Sequence, residues 1–185
     1  MRIAMIGAGY VGLTTSACLA ELGHQVSCCD ADPQRIADLS GGELPIYEPG
    51  LEPLVRRGTT TGGLSFTAST ADTVADADAV FLAVGTPSAN DGDIDLSQVE
   101  SAARAVAVHL KPGAVVIIKS TVTAGTSRRI REAIADERRS LDFSVASNPE
   151  FLREGSAIGD FMKPDRIVFG ADDSRSTEIL RAIYR

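Results

Sequence analysis

Histidine is scarce in this sequence: only His24 and His109 occur. One falls in the turn after an expected first helix and the other near the end of a later one. Both read as surface residues suited to a helix C-terminus, where the dipole favours a cation. Proton transfer therefore falls to carboxylates, lysine or ordered water. Cysteine is scarce too. Cys18, Cys28 and Cys29 show neither a disulfide framework nor metal-ligand spacing, and read as reduced, largely buried thiols. No apolar run approaches the roughly 20 residues of a membrane span. The first strand starts at Arg2 and leaves no room for a secretory leader, so a cytoplasmic protein is expected. Basic runs are missing as well. The 18 basic residues are outnumbered by 25 acidic ones, a net charge of -7, which argues against a nucleic-acid partner. There is no internal repeat, low-complexity tract or linker. The 185 residues, 44% of them hydrophobic, suggest one domain with a sizeable core.

What is present alternates between short apolar runs and longer amphipathic stretches. Strands are expected at 2–6, 25–30, 64–69, 78–85, 114–120, 143–148 and 166–170. Their unbroken apolar runs suit strands covered on both faces. Helices are expected from about Val11 to Leu22, after Asp32-Pro33, over 95–110 with Asp95 and Gln98 as a capping box, near 127–138, and at the end of the sequence. Segment 41–50 reads as a loop. This alternation predicts a Rossmann-like α/β fold: a doubly wound, mostly parallel sheet with helices on both faces. The last helix runs to the chain end with no glycine or proline to stop it, so the sequence looks cut rather than completed.

"GAGYVG" at residues 7–12 lies between a strand and a helix. Gly7, Gly9 and Gly12 have the G-x-G-x-x-G spacing: a tight turn, close approach of a pyrophosphate, and close helix–sheet packing. The helix N-terminus then offers free N–H groups to phosphate. Asp30 ends the second strand, 23 residues after Gly7, where a carboxylate accepts from a ribose 2′-hydroxyl and repels a 2′-phosphate. NAD is therefore expected over NADP. Arg35 weighs slightly the other way, and Asp32 is assigned to a helix cap. "VGTPS" (84–88) and "KSTV" (119–122) follow the fourth and fifth strands at the same sheet edge. Gly85, Thr86 and Thr121 are candidate cofactor contacts there, against readings as plain loop and helix cap. Lys119 sits at a strand end beside the site, with plain solvation as the competing reading. "SNPEFLREG" (147–155) brings two carboxylates to that edge. If Asn148-Pro149 starts a helix, Glu150 and Glu154 share one face, and Glu150 lies in the first turn where the dipole favours its ionised form. A solvated acidic pair beside Arg153 is the competing reading.

Taken together, "GAGYVG", "LPIYEPGL" (44–51), "VGTPS", "KSTV" and "NPEFLREGSAIGDFMKPDRIVFG" (148–170) resemble the nucleotide-sugar dehydrogenases of the UDP-glucose/GDP-mannose family. "PDRIV" looks more like the UDP-glucose branch. The resemblance implies oxidation of a sugar C6 alcohol to a carboxylate in two steps, with two NAD reduced. It implies that Gly7, Ala8, Gly9, Tyr10, Val11, Gly12, Asp30, Arg35, Val84, Gly85, Thr86, Pro87, Ser88 and Thr121 bind NAD. Glu150 is then the proton acceptor, directly or through a water held by Thr121. Glu150, Phe151, Leu152, Arg153 and Glu154 line the UDP-sugar, with Glu154 also near the nicotinamide. Thr123 and Ala124 depart from the family, which commonly has proline after "KSTV". The family's nucleophilic cysteine lies in a later domain. The lysine and asparagine that assist it lie on a central helix that also forms a homodimer. Nothing here aligns with these, so residues 1–185 are expected to be the NAD-binding domain alone and inactive by themselves. Two alternatives stay open: a dehydrogenase for a UDP-N-acetyl-hexosamine or GDP-mannose, and a non-catalytic NAD or sugar-nucleotide binding module.

Overall fold

The structure, a computed structural model, describes residues 1–89 and 92–185. Among these described residues seven strands form one sheet in the order β3-β2-β1-β4-β5-β6-β7. They are β1 (Arg2–Ile6), β2 (Gln25–Cys29), β3 (Leu64–Thr67), β4 (Ala79–Leu82), β5 (Val115–Ile118), β6 (Ser144–Ser147) and β7 (Gly170–Ala171). β1 to β6 pair in parallel, and only β7 is antiparallel. The expected doubly wound sheet is present. Its order reverses between β1 and β4, which opens a crevice at their carboxyl ends.

Alternate strand residues explain the unbroken apolar runs. Ile3, Met5, Val26, Cys28, Phe81 and Ile117 point to one core. It is covered by α1 (Tyr10–Glu21), α3 (Leu51–Thr61), α7 (Ala157–Met162) and α8 (Ser174–Ile183). Ala4, Ile6, Cys29, Val80, Leu82 and Ile118 point to the other, under α4 (Thr70–Val74), α5 (Ser97–Ala107) and α6 (Thr126–Glu137). Strands buried on both faces have no polar alternation to show. All three cysteines are free and buried within the first βαβ unit, and burial pushes the thiols of Cys18 and Cys28 up to about 12.

Some expectations are corrected. α3 had not been anticipated; it runs between Gly50 and Gly62, both at positive φ. The capping box does not form: Asp95 lies one residue before the cap position, which Leu96 occupies, and accepts from the N–H of Ser97, the first residue of α5, at 2.8 Å. Only the end of the 166–170 run joins the sheet. Val168 gives its carbonyl to the Asn148 side chain instead of a ladder. Asp32 does cap α2 (Pro33–Gly41), accepting from Gln34 and Arg35 N–H groups. Among the described residues no helix is long and apolar enough to cross a membrane.

Candidate functional site

The site is built on the turn from β1 into α1. Gly7 sits at φ +104°, and a Cβ there would lie 2.5 Å from the Ala83 carbonyl oxygen. A Cβ on Gly12 would lie 1.9 Å from the Gly7 oxygen. Around Gly9 the space is open, and Gly9 caps α1 with no side-chain hydrogen bond. The first N–H groups of α1 are therefore uncapped by any side chain and face a clear approach. That is the condition under which a helix N-terminus receives phosphate oxygens.

Asp30, at the end of β2, closes one side of this turn. Its Oδ2 accepts from Ala8 N–H at 2.7 Å and from Arg35 Nη1 at 3.0 Å, and its Oδ1 accepts from Asp32 N–H at 3.0 Å. Partial burial would raise its pKa, but these donors and the Arg35 charge outweigh it and hold the carboxyl below its ordinary value. Three of roughly four acceptor positions are used. A cleft of about 710 Å³ runs from Asp30 and Arg35 past Gly7 and Gly9 to Val84 and Gly85. Gln98 lines it too, with Oε1 3.2 Å from where a Gly85 Cβ would be. This explains its absence from a capping box.

A second cleft, of about 270 Å³, continues from Gly9, Val84 and Gly85 to Thr86, Lys119, Thr121 and Glu150. The fold thus brings the glycine turn, Thr121 and Glu150 to one crevice from sequence positions far apart. Tyr10 and Val11 line the same cleft. Pro87 and Ser88 line neither; they are exposed, Pro87 accepting from Asp95 N–H and Ser88 bridging to Ile94.

The 148–156 segment differs from expectation. No helix starts at Asn148; α7 begins at Ala157. Asn148 extends the sheet, its N–H donating to the Ile118 carbonyl at 2.9 Å, and a residue before proline disfavours the α region. Its side chain is not a cap but a buried junction, 1% exposed. Oδ1 accepts from Lys119 Nζ at 3.2 Å and from the Tyr184 hydroxyl, while Nδ2 donates to Val168 O at 2.8 Å. Glu150 and Glu154 therefore share no helix face, and the dipole argument for Glu150 falls away. The Glu150 carboxylate instead turns back to accept from Leu152 N–H. Lys119 is not solvated. It is 4% exposed, and burial lowers its pKa to about 8 against the opposing charge of Glu150. Phe151 and Leu152 line a small pocket of about 50 Å³ with Lys119, Asn148 and Tyr184. The Arg153 guanidinium is engaged by Asp160 at 2.7 and 3.1 Å, which holds the Asp160 carboxyl down at about 2. Glu154 is exposed and lines none of these clefts.

Sequence reasoning missed Glu48, which sits in the segment read as loop. It is buried and accepts from Tyr10, Gly155 and Ala157. An acid set between Tyr47 and Pro49, in the apolar and Pro-rich stretch 44–50, was the available signal.

Comparison with known proteins identifies relatives over the whole chain. UDP-glucose 6-dehydrogenase of Pseudomonas aeruginosa is 49% identical over 188 residues, covering 100% of this chain and 42% of that protein. The solved UDP-glucose dehydrogenase of Pyrobaculum islandicum superposes with a TM-score of 0.92 at 47% identity, over 98% of this chain and 43% of that one. GDP-mannose dehydrogenase of Pseudomonas aeruginosa gives a TM-score of 0.95 at 38% identity, over 100% and 44%. The chain thus spans well under half the length of these relatives. Residues 1–185 match the NAD-binding domain of one family throughout, and the chain belongs to that family, the UDP-glucose/GDP-mannose dehydrogenases.

Proposed function

We propose that the chain is the NAD-holding part of an enzyme that oxidises the C6 alcohol of UDP-glucose to UDP-glucuronate in two NAD-dependent steps. The observation that carries this reading is the continuous crevice from Asp30 past the glycine turn to Thr121 and Glu150. NAD, when bound, supplies the hydride acceptor. The residues Gly7 to Gly12 hold its pyrophosphate against the uncapped N-terminus of α1. Asp30 has an acceptor position left for a ribose hydroxyl. Arg35 meets a 2′-phosphate only by leaving Asp30, which favours NAD over NADP. Val84, Gly85, Thr86 and Thr121 contact the cofactor further along; Pro87, Ser88 and Glu154 have weaker support, because they stand outside the clefts. Glu150 takes the proton from the sugar hydroxyl or from a water held by Thr121. Phe151 and Leu152 line the sugar nucleotide; Arg153 stands, like Glu154, outside the clefts, its guanidinium held by Asp160. Cys18, Cys28 and Cys29 are buried, with raised pKa values, which suits no nucleophile. The covalent step therefore belongs to the remaining length of the protein, and a homodimer through that region belongs to the same reading. Free cysteines support a cytoplasmic location, and the net charge of -7 supports the absence of a nucleic-acid partner.

Two substitutions test this. Asp30→Ala is expected to weaken NAD binding about 10- to 100-fold, as for loss of a charge-assisted hydrogen bond, and to narrow the preference over NADP. Calorimetric titration with both cofactors measures it; equal affinities in the unmutated chain would sink the ribose assignment. Glu150→Gln, in a protein carrying the remaining length, is expected to slow NADH formation from UDP-glucose by about 10²- to 10⁴-fold. NAD affinity should change little. Unchanged turnover returns Glu150 to an ordinary solvated carboxylate.

A further inference from the structure

We infer that Glu48 is a positioning residue that couples cofactor occupancy to the conformation of the segment after Glu150. Glu48 is 4% exposed, in the loop before α3. Its Oε2 accepts from the Tyr10 hydroxyl at 2.7 Å and from Gly155 N–H at 2.7 Å. Its Oε1 accepts from Ala157 N–H at 2.9 Å. Burial raises its pKa, but these three donors outweigh that and keep the carboxylate ionised.

The three partners lie in two functional segments. Tyr10 is the first residue of α1, directly after Gly9, and lines the cleft shared by Thr121 and Glu150. Gly155, at φ +87°, and Ala157, the first residue of α7, close the stretch that holds Glu150 to Glu154. Ser156, at the cap position of α7, makes no side-chain cap bond, so the cap comes from Glu48, more than a hundred residues away in sequence. The loop carrying Glu48 is itself fixed: Leu51 N–H donates to the Glu48 carbonyl at 3.0 Å, and Leu44 and Ile46 pack on the same core as Leu152 and Ile158. A rigidly seated carboxylate with one donor from the cofactor turn and two from the other segment transmits a shift of Tyr10 into two backbone N–H groups. By linkage the effect is reciprocal: whatever orders the segment also favours the cofactor.

The inference rests on the reading that NAD lies against Gly9 to Val11, and the test separates the two. Amide hydrogen exchange is followed across this chain without NAD and at saturating NAD. In the unmutated chain NAD should slow exchange at Gly9 to Val11 and, by at least about fivefold, at Gly155 and Ala157. In Glu48→Gln, and separately in Tyr10→Phe, the NAD-dependent slowing at Gly155 and Ala157 should disappear at saturation, while that at Gly9 to Val11 persists. A purely structural Glu48 would change exchange at Gly155 and Ala157 equally with and without NAD. That result overturns the coupling, as does NAD-dependent slowing that survives in Tyr10→Phe. NAD binding that leaves Gly9 to Val11 unaltered overturns the placement of the cofactor, and the coupling with it.

Discussion

Gly12→Ala is expected to reduce NAD affinity at least about 100-fold and to lower the melting temperature by several degrees. The new Cβ would lie 1.9 Å from the Gly7 oxygen and 3.0 Å from the Gly7 carbonyl carbon. Those are backbone atoms, and they cannot swing aside as a flexible side chain does. Gly7 is pinned in turn. Its N–H donates to the Cys29 carbonyl at 2.8 Å, and its open side faces Ala83 O. The clash is relieved only by α1 withdrawing from the sheet, which carries its uncapped N–H groups away from the crevice. Overpacking typically costs about 1–3 kcal/mol, and a backbone clash belongs at or above the top of that range. At about 2–4 °C per kcal/mol for a domain of this size, the melting shift is easily measured. Gly23→Ala serves as the control. Gly23 has φ +90° but no neighbour near its Cβ position, so it should cost about 1–2 kcal/mol and leave NAD affinity alone. Parallel thermal melts and NAD titrations separate the cases. An unaltered NAD affinity in Gly12→Ala would mean that helix–sheet contact does not set the geometry of the turn.

That contact was legible in the sequence because it is local. The glycine spacing, the apolar run of β1 and the helical run after it all lie within the first 22 residues, where periodicity and turn chemistry are informative. The same holds for Asp32-Pro33 as the start of α2. The doubly wound sheet was legible because burial on both faces leaves unbroken apolar runs. Long-range placement was not. Asn148 looks like a helix cap by its neighbours, yet its side chain is claimed by Lys119, Val168 and Tyr184, with separations of 29, 20 and 36 residues. Glu48 looks like loop, yet its two backbone donors lie 107 and 109 residues on. Lys119 looks like a charged residue at a strand end, and only the packing of α8 shows that it is covered. In each case a distant partner decided the outcome, and at Asn148 it overturned the expected helix start. All three lie where the crevice is assembled from separate segments, which is where local rules are expected to give way.

Lys119→Met should make the chain more stable at neutral pH, and that advantage should vanish in alkali. Burial lowers the Lys119 pKa from 10.5 to about 8. Below about pH 8 the amine is charged in both folded and unfolded chains, and the cost of holding that charge in the interior is fully present. Between about pH 8 and 10.5 the folded chain gives up its proton first. The unfolded state then binds more protons, so stability rises with pH through this window. A shift of this size corresponds to about 3 kcal/mol. The unmutated chain alone would not display it. The raised pKa values of Cys18, Cys28, Cys29, Tyr10 and Tyr184 act in the opposite sense as the solution becomes alkaline. Those groups are common to both proteins; Tyr184, the one among them that Lys119 touches, is raised by burial alone, so the difference between the two reports chiefly on Lys119. Urea unfolding of each from pH 7 to 10.5 measures it, with Met chosen to fill the apolar stem's volume. A gap that does not change with pH would mean that the amine reaches water after all. The expected gap has a functional reading as well. A fold that keeps a buried charge at this cost gains a cation beside Glu150, whose charge opposes the lowering of the Lys119 pKa. Perturbed groups gather where chemistry is done, and the two side chains share the cleft that the glycine turn opens.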